Sequence, residues 1–154
     1  MNKWSMDIAA LCLRLTVGLV FLSHGWSKVM GRGGPAAFAQ DLPGYGIPAF
    51  LGYVAAYAEL FGALLLLVGF LVRLDALLLA GVMAVAVFVV QLPDALNDVP
   101  PGTSRLFAAI RGVELPLSVL GGCLALVFLG AGRLSLDRVL RVDERVARLV
   151  RKKT

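Results

Sequence analysis

Four long apolar stretches dominate the pattern of hydrophobic and polar positions. They run roughly over residues 8–30, 48–72, 76–92 and 109–130. A helix needs about 20 apolar residues to cross the hydrocarbon core, and a spanning segment must satisfy its own backbone hydrogen bonds. The pattern therefore predicts an all-α integral membrane protein, an antiparallel four-helix bundle.

The segments between the spans differ in character. Residues 31–47 are rich in Gly and Pro, which predicts a turn leading into Pro48 at a helix start. A tight turn is expected at 73–75, so the second and third spans should form a hairpin. Residues 93–104 carry prolines and aspartates and are expected to form a loop.

Basic residues collect directly after the last apolar run. Eight of the 15 Lys and Arg residues follow Gly132. Ser135 is a suitable N-cap, and the apolar positions after it recur on one helical face. We therefore divide the chain into a bundle, 1–132, and a C-terminal amphipathic cytoplasmic helix within 133–154. The side chains expected on the lipid surface are Arg138, Arg141, Arg145, Arg148 and Lys152.

The same basic residues predict the orientation of the bundle. Lys3, Arg73 and the tail would lie on one side, and Arg32, Arg105 and Arg111 on the other. Lys and Arg in short loops favour the cytoplasmic side. Both termini are therefore expected in the cytoplasm.

Composition agrees with a protein embedded in lipid. Hydrophobic residues make up 59%, charged residues 16%, and the mean hydropathy is +0.85, whereas a soluble domain is about a quarter charged. The net charge of +5 lies mostly beside the membrane, so we expect lipid and not nucleic acid as its partner. Cys12 and Cys123 form no CxxC pair and no metal-ligand spacing, so no metal is expected.

Ionisable residues inside the spans are the candidate functional positions, because such residues are costly in lipid and usually face the bundle interior. The first span places Arg14, His24 and Lys28 within a narrow helical arc. Glu59 belongs to a stripe of small residues on the second span, which is expected to face another helix. On the last span, Arg111 and Glu114 are expected to turn inward with Ser118 and Gly121. The sequence therefore predicts a buried polar network or ligand site formed by Arg14, His24, Lys28, Glu59, Arg111 and Glu114.

Two interpretations of this network remain open. It is either a set of ion pairs that fixes helix register, or a polar pocket in the outer half of the bundle that binds a small head group. The near-neutral titration of histidine suits His24 to hydrogen bonding or proton transfer. Aromatic residues at the outer end fit an interfacial belt or the walls around a quinone ring. These are Trp26, Tyr45, Tyr53 and Tyr57.

Three motifs resemble the DoxX family of small bacterial membrane proteins. Residues 14–21, RLTVGLVF, followed by Gly25 and Lys28, resemble its opening motif. Glu59 with the apolar run to Gly69 resembles its second span, and Gln91 stands where members often have His or Gln. Glu114 followed by residues 130–137, GAGRLSLD, resembles its closing motif.

The resemblance implies a four-span protein of the bacterial inner membrane linked to oxidoreductase systems. It implies an accessory or quinone- or lipid-binding subunit, of the thiosulfate:quinone type, in redox or sulfur stress. A quinone is the cofactor that this implies, and a soluble redox protein the partner. A small-metabolite transporter and a non-catalytic scaffold that recruits redox proteins remain alternatives. Whether the chain itself is catalytic, and whether it forms a homo-oligomer, stays open.

Overall fold

The computed structural model describes residues 3–140, and this part of the chain is helical without strands. Its α-helices are α1 (Lys3–Met30), α2 (Gly34–Asp41), α3 (Ala49–Val68), α4 (Val72–Val85), α5 (Leu92–Asn97), α6 (Arg105–Leu129) and α7 (Leu136–Leu140). A 3-10 turn, Leu42–Tyr45, follows α2, and a π-helical segment, Ala86–Gln91, joins α4 to α5 without a break.

Four of the described helical stretches are long and apolar enough to cross a membrane. They are Trp4–Met30, Ala49–Val68, Val72–Asn97 and Arg105–Leu129. The predicted four-span, all-α architecture is therefore confirmed.

The turn between the second and third spans lies earlier than the sequence predicted. The hairpin turns at residues 69–71, where Gly69 adopts φ 72° and Leu71 φ 51°. The carboxylate of Asp137 accepts hydrogen bonds from the N–H groups of Leu71 and Val72, at 2.7 and 3.0 Å, so α4 begins there. Residues 73–75 therefore belong to the helix, which corrects the expected turn.

Helical structure also occurs where the sequence predicted only loops. Helix α2 follows Gly33 in a left-handed conformation and has a proline in its first turn, which a helix start tolerates. It packs so tightly on α3 that a Cβ at Gly52 would lie 2.6 Å from Ala39 Cα. The third span continues to Asn97, so the loop that follows it is confined to residues 98–104.

The small-residue face of α3 is the main contact surface of the bundle. Gly52, Ala56, Glu59, Gly62 and Ala63 are all buried on it, as the sequence predicted. The core combines this face with side chains from α1, α4 and α6. Its larger members are Val17, Phe21, Leu66, Leu79, Cys123 and Leu126.

The two ends of the described chain lie at the same end of the bundle, hereafter the termini end. The backbone N–H of Arg133 donates to Asp7 Oδ1 at 2.9 Å. Ser135 caps α7, because its hydroxyl accepts from the N–H of Arg138 at 3.3 Å. Arg138 is exposed. The remaining positions of the expected amphipathic helix, Arg141, Arg145, Arg148 and Lys152, lie outside the described residues.

Candidate functional site

An ion pair between α1 and α3 is the centre of the candidate site. The ammonium of Lys28 donates to both carboxylate oxygens of Glu59, at 2.6 and 2.7 Å. Glu59 is 1% exposed and the Lys28 side chain 22%. The ammonium also lies 4.2 Å from the centre of the Phe38 ring, which supplies a favourable cation–π contact.

Gly25 makes this pairing possible. The backbones of α1 and α3 approach so closely that a Cβ at Gly25 would lie 2.6 Å from the backbone nitrogen of Leu60. Lys28 lies one helical turn further along α1 and therefore meets the residue before Leu60. Close helix contact at a small residue is typical of membrane bundles.

The ion pair lies in the wall of a cavity of about 760 Å³. The cavity is lined by residues of α1, α2, α3, α4, α6, the 3-10 turn and the π-helical segment, and most of them are apolar. Its polar wall residues are His24, Lys28, Asp41, Tyr45, Glu59 and Gln91. A mostly apolar cavity with a few converging polar groups is the usual form of a small-molecule site.

The π-helical segment forms part of the cavity wall. Ala86, Val89, Val90 and Gln91 all line the cavity. One extra residue in a helical turn interrupts the regular hydrogen-bond ladder, and such segments are frequent at functional sites. This segment could not be predicted, because the apolar run continues unchanged through it.

A hydrogen bond joins the 3-10 turn to α5 beside the cavity. The hydroxyl of Tyr45 donates to Asp94 Oδ2 at 2.7 Å. This hydrogen bond raises the pKa of Tyr45 above its usual value of about 10. The bond ties the 3-10 turn to the end of the third span.

The aromatic residues at the end of the bundle opposite the termini end divide into two groups. Trp26, Tyr53 and Tyr57 are exposed on the outside of the bundle, which fits the interfacial belt. Only Tyr45 of the four residues singled out from the sequence lines the cavity, together with Phe21 and Phe38. Phe38 was missed because it lies on α2, where the sequence predicted a turn.

His24 lines the cavity one turn before Lys28, but its side chain is otherwise exposed. No group of three or more His, Cys, Asp or Glu residues with metal-binding geometry occurs within residues 3–140.

Arg14 is not part of this cluster, which corrects the expectation that it approaches the glutamates. It lies about 21 Å from Lys28 along α1 at 1.5 Å per residue and is 2% exposed at the termini end. Its guanidinium donates to the carbonyl oxygens of Leu66 at 3.1 Å and Leu134 at 3.0 Å, and also to that of Ala131.

Arg14 and Asp137 together hold the termini end closed. Arg14 donates to the Leu66 carbonyl at the end of α3, and Asp137 accepts from the N–H groups of Leu71 and Val72 at the start of α4. The N–H of Asp137 itself donates to the carbonyl of Gly69 at 2.9 Å. This contact set, hereafter the termini knot, joins the first motif (residues 14–21), the end of the second span and the closing motif (residues 130–137).

Arg111 and Glu114 are exposed on α6, so the structure does not bring them to the cavity. The buried face of α6 is formed instead by Val113, Pro116, Val119, Cys123 and Leu126. At 100° per residue this face lies about 150° round the helix from the Arg111–Glu114 stripe. The expectation of an inward-facing stripe was therefore wrong for α6 in the single chain, because the apolar positions set the rotation of the helix.

Comparisons with known proteins give one family. The family model described as DoxX matches residues 9–92. The chain is 34% identical over 136 residues to the uncharacterized membrane protein Rv3486 of Mycobacterium tuberculosis, covering 86% of this chain and 81% of that one. The inner membrane protein YqjF of Escherichia coli is 28% identical over 134 residues, with 87% and 93% covered.

A third relative carries a functional name. The chain is 37% identical over 92 residues to CatD of Bacillus subtilis, which is provisionally named an oxidoreductase. The alignment covers 60% of this chain and 66% of CatD. No solved structure matches the chain.

Proposed function

The chain belongs to the DoxX family, and we propose that it is an accessory, quinone-binding subunit of a membrane oxidoreductase system that responds to redox or sulfur stress. The observation that carries the proposal is the Lys28–Glu59 pair in the wall of a large apolar cavity. The oxidoreductase name of CatD also supports a role in an oxidoreductase system.

The donor groups of the cavity suit a carbonyl head group. An ammonium group has three N–H donors, and Glu59 accepts two from Lys28. No third acceptor for Lys28 lies within hydrogen-bond distance among residues 3–140, so one donor is available to a ligand. His24 and Gln91 in the same wall offer further hydrogen bonds. The apolar remainder of the wall would hold a ring and the start of an isoprenoid tail.

The charges of the cavity favour a quinone over a phospholipid. Lys28 and Glu59 neutralise each other, and the other carboxylate in the wall is that of Asp41. A phosphate head group would bring a negative charge to a wall with no unpaired cation among its described residues. A neutral quinone carbonyl avoids this repulsion.

Electron transfer in this proposal belongs to a partner protein. Cys12 is exposed on α1 and Cys123 is buried on α6, and the two form no dithiol pair. The chain would present the quinone to a redox protein and not oxidise a substrate itself.

We propose further that the protein lies in the bacterial inner membrane with the termini end in the cytoplasm. The excess of Lys and Arg beside the last span supports this orientation. The cavity would then open in the outer half of the bundle.

Quinone retention tests the proposal. Wild-type protein and the variants Glu59→Gln and Glu114→Gln are purified into lipid nanodiscs, loaded with a quinone, and washed. Extracted quinone is then measured by chromatography. We expect about tenfold less quinone with Glu59→Gln, equivalent to 1.4 kcal/mol. Glu114→Gln, the same change outside the cavity, should retain it. Equal retention by all three proteins, or none by the wild type, would contradict the proposal.

A further inference from the structure

Helix α6 carries an ionisable face that nothing described in the structure covers. Arg111, Glu114, Ser118 and Gly121 all lie on this exposed face, hereafter the α6 polar face. Glu114 lies about 22 Å along the axis from Leu129 and about 14 Å from Arg105, at 1.5 Å per residue. The hydrocarbon core is about 30 Å thick, so Glu114 lies at the depth of the acyl chains.

Within a single chain, no described basic side chain pairs with the carboxylate of Glu114. Glu114 forms no ion pair with any residue from 4 to 140. The hydroxyl of Ser118 donates to the backbone carbonyl of Glu114, at 2.6 Å, and not to its carboxylate. Ionisable residues at this depth almost always face protein or a water-filled cavity, because lipid cannot solvate them. The α6 polar face should therefore be covered by protein.

The shape of the face permits close contact with another helix. A Cβ built on Gly121 would meet no atom within 4 Å. Ser118 lies between Gly121 and Glu114 on the same stripe and is also small. Small residues one turn apart let two transmembrane helices approach closely, which strengthens any ion pair beside them.

We infer that the α6 polar face binds a second copy of this chain. Both copies insert in the same orientation, so the twofold axis lies along the membrane normal. Arg111 and Glu114 are three residues apart on one face, about 4.5 Å along the axis. In a symmetric pair equal residues lie at equal depth, and the long side chain of Arg111 can span this offset to reach Glu114 of the other copy. The charges of the face are complementary to themselves, which favours a second copy over a partner of one sign.

Cysteine cross-linking tests this geometry directly. Exposed Cys12 is first replaced by Ala, while buried Cys123 is kept. Ser118→Cys is then compared with Leu117→Cys, an exposed position at the same depth but about 100° round the helix. Purified protein is reconstituted at a low protein-to-lipid ratio and oxidised. We expect at least about fivefold more covalent dimer with Ser118→Cys, since cross-linking follows proximity.

Two results of this experiment would overturn the inference. Equal cross-linking at the two positions would show that the face does not meet its own copy. The same would follow if purified Ser118→Cys protein stayed monomeric and cross-linked in native membranes only to a different protein.

A charge exchange tests the ion pairs independently. Arg111→Glu and Glu114→Arg should each lower the dimer fraction about tenfold, because each places like charges opposite each other. The double variant restores opposite charges and should recover the dimer to within about twofold of wild type. Single-molecule photobleaching in bilayers measures the fraction. A double variant that stays monomeric would contradict the inference, and Ser118→Cys decides the matter if a charge variant fails to insert.

Discussion

The ammonium of Lys28 lies 2.6 and 2.7 Å from the two carboxylate oxygens of Glu59, although the two residues belong to helices separated by α2 and the 3-10 turn. Their pairing closes one side of a cavity whose other walls are mostly apolar. The same contact therefore both joins α1 to α3 and places hydrogen-bond donors beside a space of ligand size. The stability and the quinone retention of Lys28 and Glu59 variants separate these two roles.

Replacing one partner of the Lys28–Glu59 ion pair should destabilise the protein more than replacing both partners. Glu59→Leu leaves a partly buried ammonium without its carboxylate and should cost about 3 kcal/mol of unfolding free energy. The double variant Lys28→Met/Glu59→Leu should recover most of this loss, because an apolar pair of similar size packs in its place. Thermal unfolding in detergent measures the difference.

Quinone retention by the same double variant completes the test. A stable double variant that no longer retains quinone supports a binding role for the pair. If it retained quinone as well as wild type does, the pair would serve only to hold the helices together.

A methyl group at Gly25 should force α1 away from α3. A Cβ there would meet the backbone of Leu60 at 2.6 Å, and a backbone atom cannot move aside as a side chain can. We expect Gly25→Ala to cost about 1–3 kcal/mol by overpacking and to lower quinone retention. Gly81→Ala is the matched control for stability alone, because a Cβ at Gly81 meets no atom within 4 Å but Gly81 lines the cavity. Equal stability of the two variants would refute the close approach.

Replacing Arg14 even with lysine should destabilise the protein. Arg14→Lys keeps the positive charge but loses the planar set of donors that reaches several carbonyl groups. We expect a loss of about 2–4 kcal/mol in thermal or denaturant unfolding, since buried carbonyl groups lose their donors. Quinone retention measured on the folded fraction should stay at the wild-type level, because the termini knot lies far from the cavity. A variant as stable as wild type would show that the knot contributes little.

Tyr45 should keep its proton to higher pH while Asp94 accepts its hydrogen bond. The raised pKa of Tyr45 favours the neutral phenol in the folded protein. The stabilisation it contributes is therefore complete below the unfolded pKa of about 10 and is lost as pH rises through the folded pKa. In a Tyr53→Phe/Tyr57→Phe background, absorbance at phenolate wavelengths follows Tyr45 alone, because the chain has 3 tyrosines. Adding Asp94→Asn should lower the midpoint of the Tyr45 titration. An unchanged midpoint would show that the hydrogen bond to Asp94 does not raise the pKa of Tyr45.

Reporter fusions test the orientation. A reporter after Thr154 should be active in the cytoplasm, and one inserted within residues 98–104 should be active on the other side, because the Lys and Arg excess lies at the termini end. A tail found outside the cell would reverse the assignment and place the cavity in the inner half of the bundle.

The sequence was sufficient to predict features that depend on the local pattern alone. Four apolar runs predicted the four spans, and small residues around Glu59 predicted the buried face of α3. Ser135 was recognised as a cap because a hydroxyl before a helix has a specific backbone role. These signals lie within one element and do not require knowledge of its neighbours.

Features that depend on contacts between elements could not be predicted in the same way. Both faces of α6 have helical spacing, and only packing against Val17 and the rest of the core shows that the Cys123 face turns inward. The start of α4 depends on Asp137, which is distant in the chain. Helix α2 is stabilised against α3 at Gly52, so its Gly- and Pro-containing sequence alone predicted a turn.

The termini knot has a consequence for biogenesis. Arg14 emerges early from the ribosome, whereas two of its acceptors, the carbonyl groups of Ala131 and Leu134, are synthesised only after the fourth span. Until then a nascent chain holds a guanidinium whose final partners do not yet exist, so water, lipid head groups or the insertion machinery must accommodate it. Final closure of the bundle is therefore coupled to completion of translation beyond residue 137.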